Sequence, residues 1–468
     1  MSFTIDADIA VIGAGPAGLT AALVAAKGGA RVTVLDEYPE PGGQFYKQLP
    51  AEFTVPDRTR LDRDYTKGDA LLAQVKAAGV TLSPETLVWG SFEAGTLAVM
   101  RRGEGGTVRA GKIIVASGAY ERPGVFPGWD LPGVMTPGGA QTLVKNQNIV
   151  PGKRIVLAGS GPFLLPVART LIVAGAAPVG IYETTHPLAW AKHALRLWGH
   201  WDRVGEALAY RRTLAAAKVP VHFRHVVVRA EGRESLERVV IAQCDGEGRA
   251  IPGTERTEAA DTLCVGYGFI PAVQTTRMLG CEHRYNRKAG GWVPVHGTDM
   301  ETSIPGVFVA GEVAGIGGAY AAMAEGTLAA LSALRQLGVA VTTSAVTSAL
   351  QERTHRRAFA ALVGDLFTVQ AGVYDAVTDD TLVCRCEEVT AGEVRACAQP
   401  WGAHVNFVKG ATRCGMGYCQ GRICGSTVEE LLTRKLGLPP GSVDGFRPRT
   451  PLKPVRVGDM AGLASDDR

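Results

Sequence analysis

Residues 6–36 read DADIAVIGAGPAGLTAALVAAKGGARVTVLD, and this stretch decides the fold. It predicts a buried strand, a glycine-rich turn, a helix and a second strand. Gly13 permits the tight turn, Gly15 lets the backbone approach a pyrophosphate, and Gly18 lets the helix pack closely on the strand. Asp36 ends the second strand, where an acid binds ribose hydroxyls. The stretch therefore predicts a dinucleotide-binding unit with the diphosphate at the helix N-terminus.

The same pattern returns further along the chain. Residues 153–183 contain RIVLAG, then SGPFLLPVARTLIVAGA, then PVGIYE. Gly159 and Gly161 keep the first two glycine positions, but Leu164 stands at the third. A leucine there pushes the helix away from the strand and disturbs the diphosphate site. This second subdomain either binds an adenine nucleotide loosely or is a structural remnant. We favour a remnant or a non-redox nucleotide over an NAD(P)H site.

Two distant segments favour FAD over NAD in the first subdomain. IIVASG ends a predicted strand at Ser117 and Gly118, and IPGVFVAGE ends another at Gly311 and Glu312. Glycines at 315, 317 and 318 then open a predicted helix near residue 319.

The order of these segments resembles the two-dinucleotide-binding-domain flavoproteins, such as thioredoxin reductase and glutathione reductase. PGGQ at residues 41–44 also matches that family near the isoalloxazine ring. In the family, the acid matching Glu312 orients the ribityl–pyrophosphate part of FAD, and the next helix N-terminus faces the flavin ring. The resemblance, with the fingerprint, implies that FAD is bound without a covalent bond by Gly13, Gly15, Pro16, Ala17, Gly18, Asp36, Glu37, Gly43, Gln44, Ser117, Gly118, Gly311, Glu312, Gly318 and Ala319.

Six of the nine cysteines fall between residues 384 and 424. Cys384 and Cys386 are two positions apart, so both point to one side of an extended chain. Cys414 and Cys419 follow in RCGMGYC, where the glycines let the loop curl and offer N–H donors to sulfur. The four thiolates predict a [2Fe–2S] cluster. Their clustering indicates a metal site in a reducing compartment rather than a disulfide framework.

Structural zinc is the alternative for this cysteine module. Zinc sites more often use CxxC pairs, and zinc would be redox-inactive beside a flavin. Cys397 and Cys424 are predicted to be structural, although Cys424 is near enough in sequence to be an alternative ligand. Two helices are predicted to begin at capping boxes, formed by the pairs Thr390/Glu393 and Ser426/Glu429.

The segments VCRCEEVTAGEV and TRCGMGYCQGRICG look like a bacterioferritin-associated-ferredoxin-like [2Fe–2S] domain. Nearly the whole chain, including Leu164 and the RPRTPLKP tail, resembles the large flavoprotein subunit of heteromeric amino-acid and opine dehydrogenases. That group includes the opine oxidase A subunit, the hydrogen cyanide synthase B subunit, and the α subunits of proline and D-hydroxyproline dehydrogenases.

The resemblance implies an electron-transfer subunit of a dehydrogenase that oxidises the C–N bond of an imino acid, amino acid or opine. Its partners would be an FAD-dependent β subunit of the amino-acid oxidase type, which holds the substrate site, and a small ferredoxin-like γ subunit. A second flavin, FMN, would lie at the subunit interface. Electrons would pass to a respiratory or artificial acceptor.

A self-sufficient NAD(P)H-dependent flavin and iron–sulfur reductase is the alternative function. Thioredoxin reductase and its relatives pass electrons through a CxxC pair, and Cys244, Cys264 and Cys281 are not paired in that way. Leu164 also argues against this function. A non-catalytic iron-handling module is a further alternative, against which the complete FAD fingerprint argues. No histidine stands in a metal-ligand or triad spacing, so no catalytic residue is assigned.

Composition limits the possible functions of the protein less strongly than the motifs do. The chain has 468 residues, of which 46% are hydrophobic and 20% charged, as expected of packed globular domains. A net charge of +4 spread over this length gives no case for nucleic-acid binding. Asp6 and Asp8 stand where a signal peptide would be basic, and no apolar stretch reaches about 20 residues. We expect a cytoplasmic protein, with peripheral attachment to the cytoplasmic face of the inner membrane as the alternative.

Residues 188–201 are rich in tryptophan, with Trp190, Trp198 and Trp201 among basic residues. A stripe facing the core is the favoured interpretation. A helix that binds a partner or a membrane surface is the alternative.

The patterns together predict an α/β, two-dinucleotide-binding-domain (Rossmann-like) flavoprotein with a small C-terminal α-helical [2Fe–2S] domain. The predicted boundaries are 1–125 with 276–340 for a discontinuous FAD-binding domain, 152–275 for the second Rossmann-like (degenerate NAD(P)-type) domain, 341–380 for a helical connector, 381–440 for the [2Fe–2S]-binding domain, and 441–468 for a proline-rich basic tail.

Overall fold

A computed structural model describes residues 3–50, 52–53, 63–189, 193–399 and 404–461. The chain divides into two compact units. The first comprises Met1–Ala119, Pro271–Ala360 and Arg447–Arg468, and the second comprises Tyr120–Ile270 and Ala361–Phe446.

The strands are numbered in chain order. They are β1 (Phe3–Ile12), β2 (Val32–Leu35), β3 (Thr81–Ser83), β4 (Thr86–Glu93), β5 (Thr96–Arg101), β6 (Glu104–Val115), β7 (Ala119–Pro123), β8 (Val134–Met135), β9 (Arg154–Gly159), β10 (Ala177–Glu183), β11 (Val221–Phe223), β12 (His225–Glu231), β13 (Arg238–Gln243), β14 (Arg256–Ala259), β15 (Thr262–Pro271), β16 (His283–Asn286), β17 (Gly291–Pro294), β18 (Val307–Val309), β19 (Leu382–Cys384) and β20 (Val389–Thr390).

The helices are numbered in the same way. They are α1 (Pro16–Lys27), α2 (Arg63–Ala77), α3 (Pro137–Gln147), α4 (Leu164–Val173), α5 (Trp201–Ala216), α6 (Gln274–Met278), α7 (Ala319–Gln336), α8 (Thr343–Leu366), α9 (Ala391–Ala396), α10 (Val405–Thr412), α11 (Gly425–Lys435) and α12 (Val457–Ala461). Short 3₁₀ helices cover Ala194–Leu197, Arg287–Ala289, Gly311–Ala314 and Ala371–Ala376.

The first unit is built on a seven-stranded sheet of order β3–β2–β1–β6–β5–β4, with β18 paired to β6. The neighbours of β1 and β2 are parallel, whereas β4, β5 and β6 form an antiparallel meander. Ile9, Val11 and Val34 are at most 1% exposed, as parallel strands covered on both faces require. The predicted order of strand, turn, helix and strand over residues 6–36 is confirmed.

Helix α1 packs against α7 within this unit. The two backbones approach so closely that a Cβ on Gly326 would lie 2.2 Å from the carbonyl oxygen of Ala17. The small residues of both helices make this possible, since alanine and glycine dominate their facing sides. The close contact fixes the N-terminus of α1 beside the sheet.

The second unit holds a six-stranded sheet of order β11–β10–β9–β15–β7, with β8 paired to β15, and a separate antiparallel sheet β12–β13–β14. The cysteine module lies in this same unit. Its strands β19 and β20 form an antiparallel pair, and the Trp129 indole N–H donates to the Leu382 carbonyl at 2.6 Å. The predicted α/β Rossmann-like class is confirmed.

One of the two predicted capping boxes is confirmed. The Thr390 hydroxyl accepts from the Glu393 N–H at 3.3 Å, and the Glu393 carboxylate accepts from the Thr390 N–H at 2.8 Å. The second box is wrong, because α11 begins at Gly425 with Cys424 at the N-cap position. Ser426 is therefore already helical, and its buried hydroxyl has no hydrogen-bond partner among the described residues.

The tryptophan-rich segment differs from the favoured prediction. Trp198 is 79% exposed, Trp201 is 60% exposed and Leu195 is 93% exposed, so these side chains do not face a core. Trp190 lies outside the described residues. Within the part of the chain that the structure describes, no helix is long and apolar enough to cross a bilayer.

Candidate functional site

The glycine-rich turn between β1 and α1 has two positions that the fold itself restricts to glycine. Gly13 has φ +105°, and a Cβ there would lie 2.4 Å from the Ala116 carbonyl oxygen. A Cβ on Gly18 would lie 1.9 Å from the Gly13 carbonyl oxygen. These contacts close the turn and bring α1 down onto β1.

Gly15 is different, because the space beside it is open among the residues that the structure describes. The nearest atom to a Cβ on Gly15 would be the Gly43 Cα at 3.9 Å. Gly15 is also the N-cap residue of α1, where no side chain caps the free N–H groups. An open approach to uncapped N–H groups suits a diphosphate, so the turn fits the predicted dinucleotide.

The acid after β2 reaches the turn. Asp36 Oδ2 accepts from the Ala14 N–H at 2.5 Å, and Oδ1 accepts from the Tyr38 N–H at 2.8 Å. Burial raises the pKa of Asp36, and these two hydrogen bonds oppose the rise. Each carboxylate oxygen keeps one further lone pair, which leaves Asp36 able to accept from a ribose hydroxyl. The adjacent Glu37 forms an ion pair with Lys453.

The PGGQ loop lies directly against the turn. The Gly42 N–H donates to the Ala14 carbonyl at 2.8 Å. Gly43 has φ +61°, and a Cβ on it would lie 2.7 Å from the Gly15 Cα. Gln44 is exposed, and its amide oxygen accepts from the Lys47 ammonium at 3.0 Å. The loop and the turn therefore form one continuous backbone surface.

Ser117 and Gly118 end the neighbouring strand segment. The Ser117 hydroxyl donates to the Ala272 carbonyl at 2.8 Å, and the Ala272 N–H donates to the Gly118 carbonyl at 3.0 Å. Gly118 has φ +76°, a conformation that favours glycine. The serine side chain here ties two strand ends together.

The loop from Gly311 to Gly318 precedes α7. Glu312 Oε1 accepts from the Gly317 N–H at 3.1 Å and from the Gly318 N–H at 2.5 Å. Burial raises the pKa of Glu312, and the two donors oppose that rise. Gly318 is the N-cap of α7 and has φ +82°, and within the described part of the chain no atom lies within 4 Å of its Cβ position. The N-terminus of α7 is therefore open, as the flavin-facing helix requires.

Sequence reasoning missed the side chains that hold this loop. Glu325, which is fully buried, accepts from the Gly311 N–H at 3.0 Å and from two nitrogens of Arg357 at 2.7 and 2.9 Å. Arg357 also donates to the Gly315 carbonyl at 2.8 Å. The available signal was a lone glutamate in the alanine-rich α7, since a buried charge needs a partner. All the predicted FAD-site residues lie in the first unit.

The second fingerprint has a different geometry. Helix α1 begins at Pro16, three residues after Gly13, whereas α4 begins at Leu164, five residues after Gly159. Leu164 is only 3% exposed and packs in the core under the sheet. The Gly161 N–H, which would face a diphosphate, donates instead to Glu183 at 3.0 Å.

Glu183 is also occupied by neighbours on its own loop. Its Oε1 accepts from the N–H and the hydroxyl of Thr185 at 3.1 and 2.9 Å. Burial raises the pKa of this carboxyl. The groups that would bind a nucleotide's diphosphate and ribose are thus hydrogen-bonded to each other.

The cysteine module brings three thiols together. The Sγ atoms of Cys384, Cys414 and Cys424 lie within 4.8 Å of one another, and Cys414 and Cys424 are 3.8 Å apart. All three are buried. Hydrogen bonds from the other two thiols strongly lower the pKa of Cys384. The structure thus places Cys424 beside two of the predicted ligands.

Cys386 and Cys419, the other two predicted ligands, are not part of this group of three and form a second pair. Cys386 is exposed, Cys419 is partly exposed, and their side chains are hydrogen-bonded. A Cβ on Gly417 would lie 2.1 Å from the Cys386 Cβ, so the loop must carry glycine there. The Gly415 N–H donates to the Cys384 sulfur, as predicted for this loop.

The arrangement fits a metal centre with thiolate ligands. Two thiolates on one tetrahedral metal ion, each at about 2.3 Å, are separated by about 3.8 Å. The Cys414–Cys424 distance of 3.8 Å matches this separation. Tetrahedral sulfur coordination suits both zinc and the irons of a [2Fe–2S] cluster. Backbone donors to sulfur are present as well.

Three arginines of the cysteine module have specific partners. Arg413 pairs with Glu387 at 2.9 Å, and Arg422 donates to the Tyr120 hydroxyl at 2.9 Å. Arg385 stacks over the Trp129 ring at 5.2 Å from its centroid. These contacts orient the cations around the thiol group.

Comparison with known proteins gives the family. A family model described as pyridine nucleotide-disulphide oxidoreductase matches residues 7–326. The chain is 36% identical to the opine oxidase A subunit of Rhizobium meliloti, over 97% of this chain and 87% of that protein. It is 32% identical to the hydrogen cyanide synthase subunit HcnB of Pseudomonas aeruginosa, over 97% and 98%.

A solved structure supports the fold. L-proline dehydrogenase from P. horikoshii matches with a TM-score of 0.70 at 20% identity, over 98% of this chain and 80% of that one. The chain therefore belongs to the pyridine nucleotide-disulphide oxidoreductase family, in the group of relatives that includes the opine oxidase A subunit.

Proposed function

We propose that this chain is the FAD- and [2Fe–2S]-containing electron-transfer subunit of a heteromeric dehydrogenase. The enzyme would oxidise the C–N bond of an imino acid, an amino acid or an opine. The observation that carries the proposal is the presence, in one chain, of a flavoprotein fold with an open dinucleotide turn and a buried group of thiols. When bound, the flavin and the cluster would divide two-electron chemistry into single-electron transfers.

The residues of the first unit would bind and orient FAD. The uncapped start of α1 at Gly15 would donate N–H groups to the diphosphate, and Asp36 would accept from the ribose. The open N-terminus of α7 at Gly318 would place positive dipole near the ring. The ion pair between buried Glu325 and partly exposed Arg357 keeps that loop in place.

The thiol group would bind the cluster. The ligand set Cys384, Cys386, Cys414 and Cys419 stays a prediction from the sequence. The 3.8 Å approach of Cys424 to Cys414 supports Cys424 as a ligand too, so five thiols compete for four positions. The low pKa of Cys384 favours a thiolate, the form that binds metal.

A partner subunit would hold the substrate. The opine oxidase and hydrogen cyanide synthase relatives are, by their names, subunits. We propose an FAD-dependent β subunit of the amino-acid oxidase type, a small ferredoxin-like γ subunit, and FMN at the interface. Exposed Trp198 and Trp201 supply the kind of aromatic anchors that dominate protein interfaces, beside the exposed apolar Leu195.

Reconstitution tests this function. The tagged chain would be purified from its native host without oxygen, and flavin, iron and labile sulfide would be measured. Proline, hydroxyproline, sarcosine and opines would then be assayed with an artificial dye, first with the isolated chain and then with its co-purifying partner. We expect dye reduction only when the partner is present.

Three outcomes would contradict the proposal. Substrate-dependent dye reduction by the chain freed of its partner would place a substrate site on this chain. Purified protein that contains zinc but no labile sulfide would contradict the proposed [2Fe–2S] cluster. Rapid bleaching of the flavin by NADH or NADPH would favour the self-sufficient reductase instead.

A further inference from the structure

The C-terminal tail folds back onto the first unit. The segment Arg447–Arg468, which the structure describes as far as residue 461, belongs to the same compact unit as the N-terminal fingerprint. This segment follows the cysteine module in sequence. The chain therefore contributes to the first unit again after passing through the second unit.

Backbone and apolar contacts anchor the tail on the antiparallel meander. The Leu452 N–H donates to the Trp89 carbonyl at 3.0 Å, and Leu452 is only 5% exposed. Val455 and Met460 pack against the small core formed by Trp89, Ala98 and Met100 on β4 and β5. A tail with a buried leucine and its own core contacts has a defined position.

This anchoring places Lys453 beside Asp36 and Glu37, the two acids that follow β2. The Lys453 ammonium pairs with the Glu37 carboxylate, and their side chains are 30% and 34% exposed. The Lys453 charge also acts on the adjacent Asp36 carboxyl, where it opposes the effect of Glu37. Asp36 is in turn hydrogen-bonded to Ala14 in the glycine-rich turn. Lys453 therefore lies at the ribose end of the dinucleotide site, although the sequence separates it widely from the fingerprint.

We propose that the tail completes the adenosine end of the FAD site, with Lys453 as the residue that positions Glu37 for the ribose hydroxyls. The inference rests on the proposed FAD site. It adds that a lysine from the far end of the chain belongs to that site.

The physical reason lies in the two neighbouring acids. Asp36 uses one lone pair of each oxygen on backbone N–H groups, so a second acceptor is useful for a ribose diol. Glu37 is on the exposed side of the same strand end and would otherwise sample several rotamers. The Lys453 ion pair holds its carboxylate in one place and offsets the repulsion between two adjacent negative charges.

The experiment compares variants of the full-length chain. FAD and ADP binding would be measured after removal of flavin, with FAD fluorescence and calorimetry as readouts. ADP carries the adenosine and diphosphate but not the flavin, so it reports the adenosine end alone. Lys453→Ala is expected to weaken both ligands by about tenfold, as loss of a charge-assisted hydrogen-bond network allows, and Lys453→Arg is expected to restore most of the affinity.

Two further variants separate positioning from general stability. Arg456→Ala removes a cation from an exposed position on the same tail and should leave both affinities unchanged. Leu452→Ala loosens the anchor while keeping Lys453, and should weaken both ligands. In a double-mutant cycle, Lys453→Ala should have little further effect once Glu37→Gln is present.

Three outcomes would contradict the tail proposal, and the last of them would also contradict the proposed FAD site. If the wild-type chain binds FAD but Lys453→Ala binds FAD and ADP within about twofold of wild type, the tail proposal fails and the FAD site survives. An undiminished Lys453→Ala effect in the Glu37→Gln background would also overturn it. A wild-type chain with affinity for neither ligand would overturn the proposed FAD site and the tail proposal together.

Discussion

Adding one methyl group at Gly15 tests the flavin site most directly. The Gly15 backbone has φ −78° and ψ −176°, which alanine adopts without strain. A Cβ there would lie 3.9 Å from its nearest protein neighbour, so Gly15→Ala should fold normally. The same methyl would occupy the path by which a diphosphate reaches the start of α1. Loss of one charge-assisted hydrogen bond costs about 1.5–3 kcal/mol, so FAD should bind about 10- to 150-fold more weakly.

The assay is the FAD dissociation constant, measured by flavin fluorescence, together with the thermal midpoint of the flavin-free chain. Gly15→Val, with a branched side chain, should lose more affinity than Gly15→Ala. Gly18→Ala is the contrasting variant, because its Cβ would lie 1.9 Å from the Gly13 carbonyl oxygen and should destabilise the fold itself. The reasoning is refuted if Gly15→Val keeps full flavin absorbance after purification, or if the flavin-free Gly15→Ala chain melts as early as Gly18→Ala.

Three further outcomes follow from the same geometry. Cys424→Ser is expected to lower iron and labile sulfide below the about two per chain that a [2Fe–2S] cluster requires, because its sulfur lies 3.8 Å from that of Cys414. Cys397→Ser, a buried cysteine outside the thiol group, should leave both unchanged; equal loss in the two variants would contradict the site. NADH and NADPH should reduce the flavin slowly in anaerobic stopped-flow measurements, because the Gly161 N–H is already hydrogen-bonded, and bleaching within the dead time would disprove this. Trp198→Ala should reduce co-purification of the partner with unchanged flavin content, and unchanged subunit stoichiometry would exclude this surface.

The regular parts of the fold were predictable from sequence because local pattern and tertiary structure agree there. The strand and helix around the first fingerprint, the helix from Ala319 and the Thr390 capping box all follow from short-range rules. The Ser426 capping box was predicted wrongly, because the sequence of a capping motif does not by itself show where the helix starts. Only the backbone of Cys424, which is already helical, shows that this helix begins two residues earlier, at Gly425 rather than Thr427.

The candidate site was predictable where a residue acts through its own backbone, as the glycines of the turn do. It was not predictable where distant side chains meet. Arg357 contacts Glu325 from another helix, and Lys453 contacts Glu37 from the opposite end of the chain. The exposure of Trp198 was also outside sequence reasoning, since aromatic spacing alone does not distinguish a core from an interface.

Arg357 bears on the question of whether this chain or a partner subunit would bind the substrate carboxylate. A site for an amino acid needs a cation that can bind the substrate carboxylate beside the flavin, and Arg357 contacts the loop that is predicted to lie near the flavin. Its guanidinium, however, already donates to both oxygens of the buried Glu325 and to the Gly315 carbonyl. Turning it toward a substrate would break the two short charge-assisted hydrogen bonds to the buried Glu325 and leave it with the more distant Arg353 guanidinium at 3.4 Å and the Gly311 N–H. Arg357 therefore holds the loop through these contacts, and under the proposed function a residue of the partner subunit would bind the substrate carboxylate.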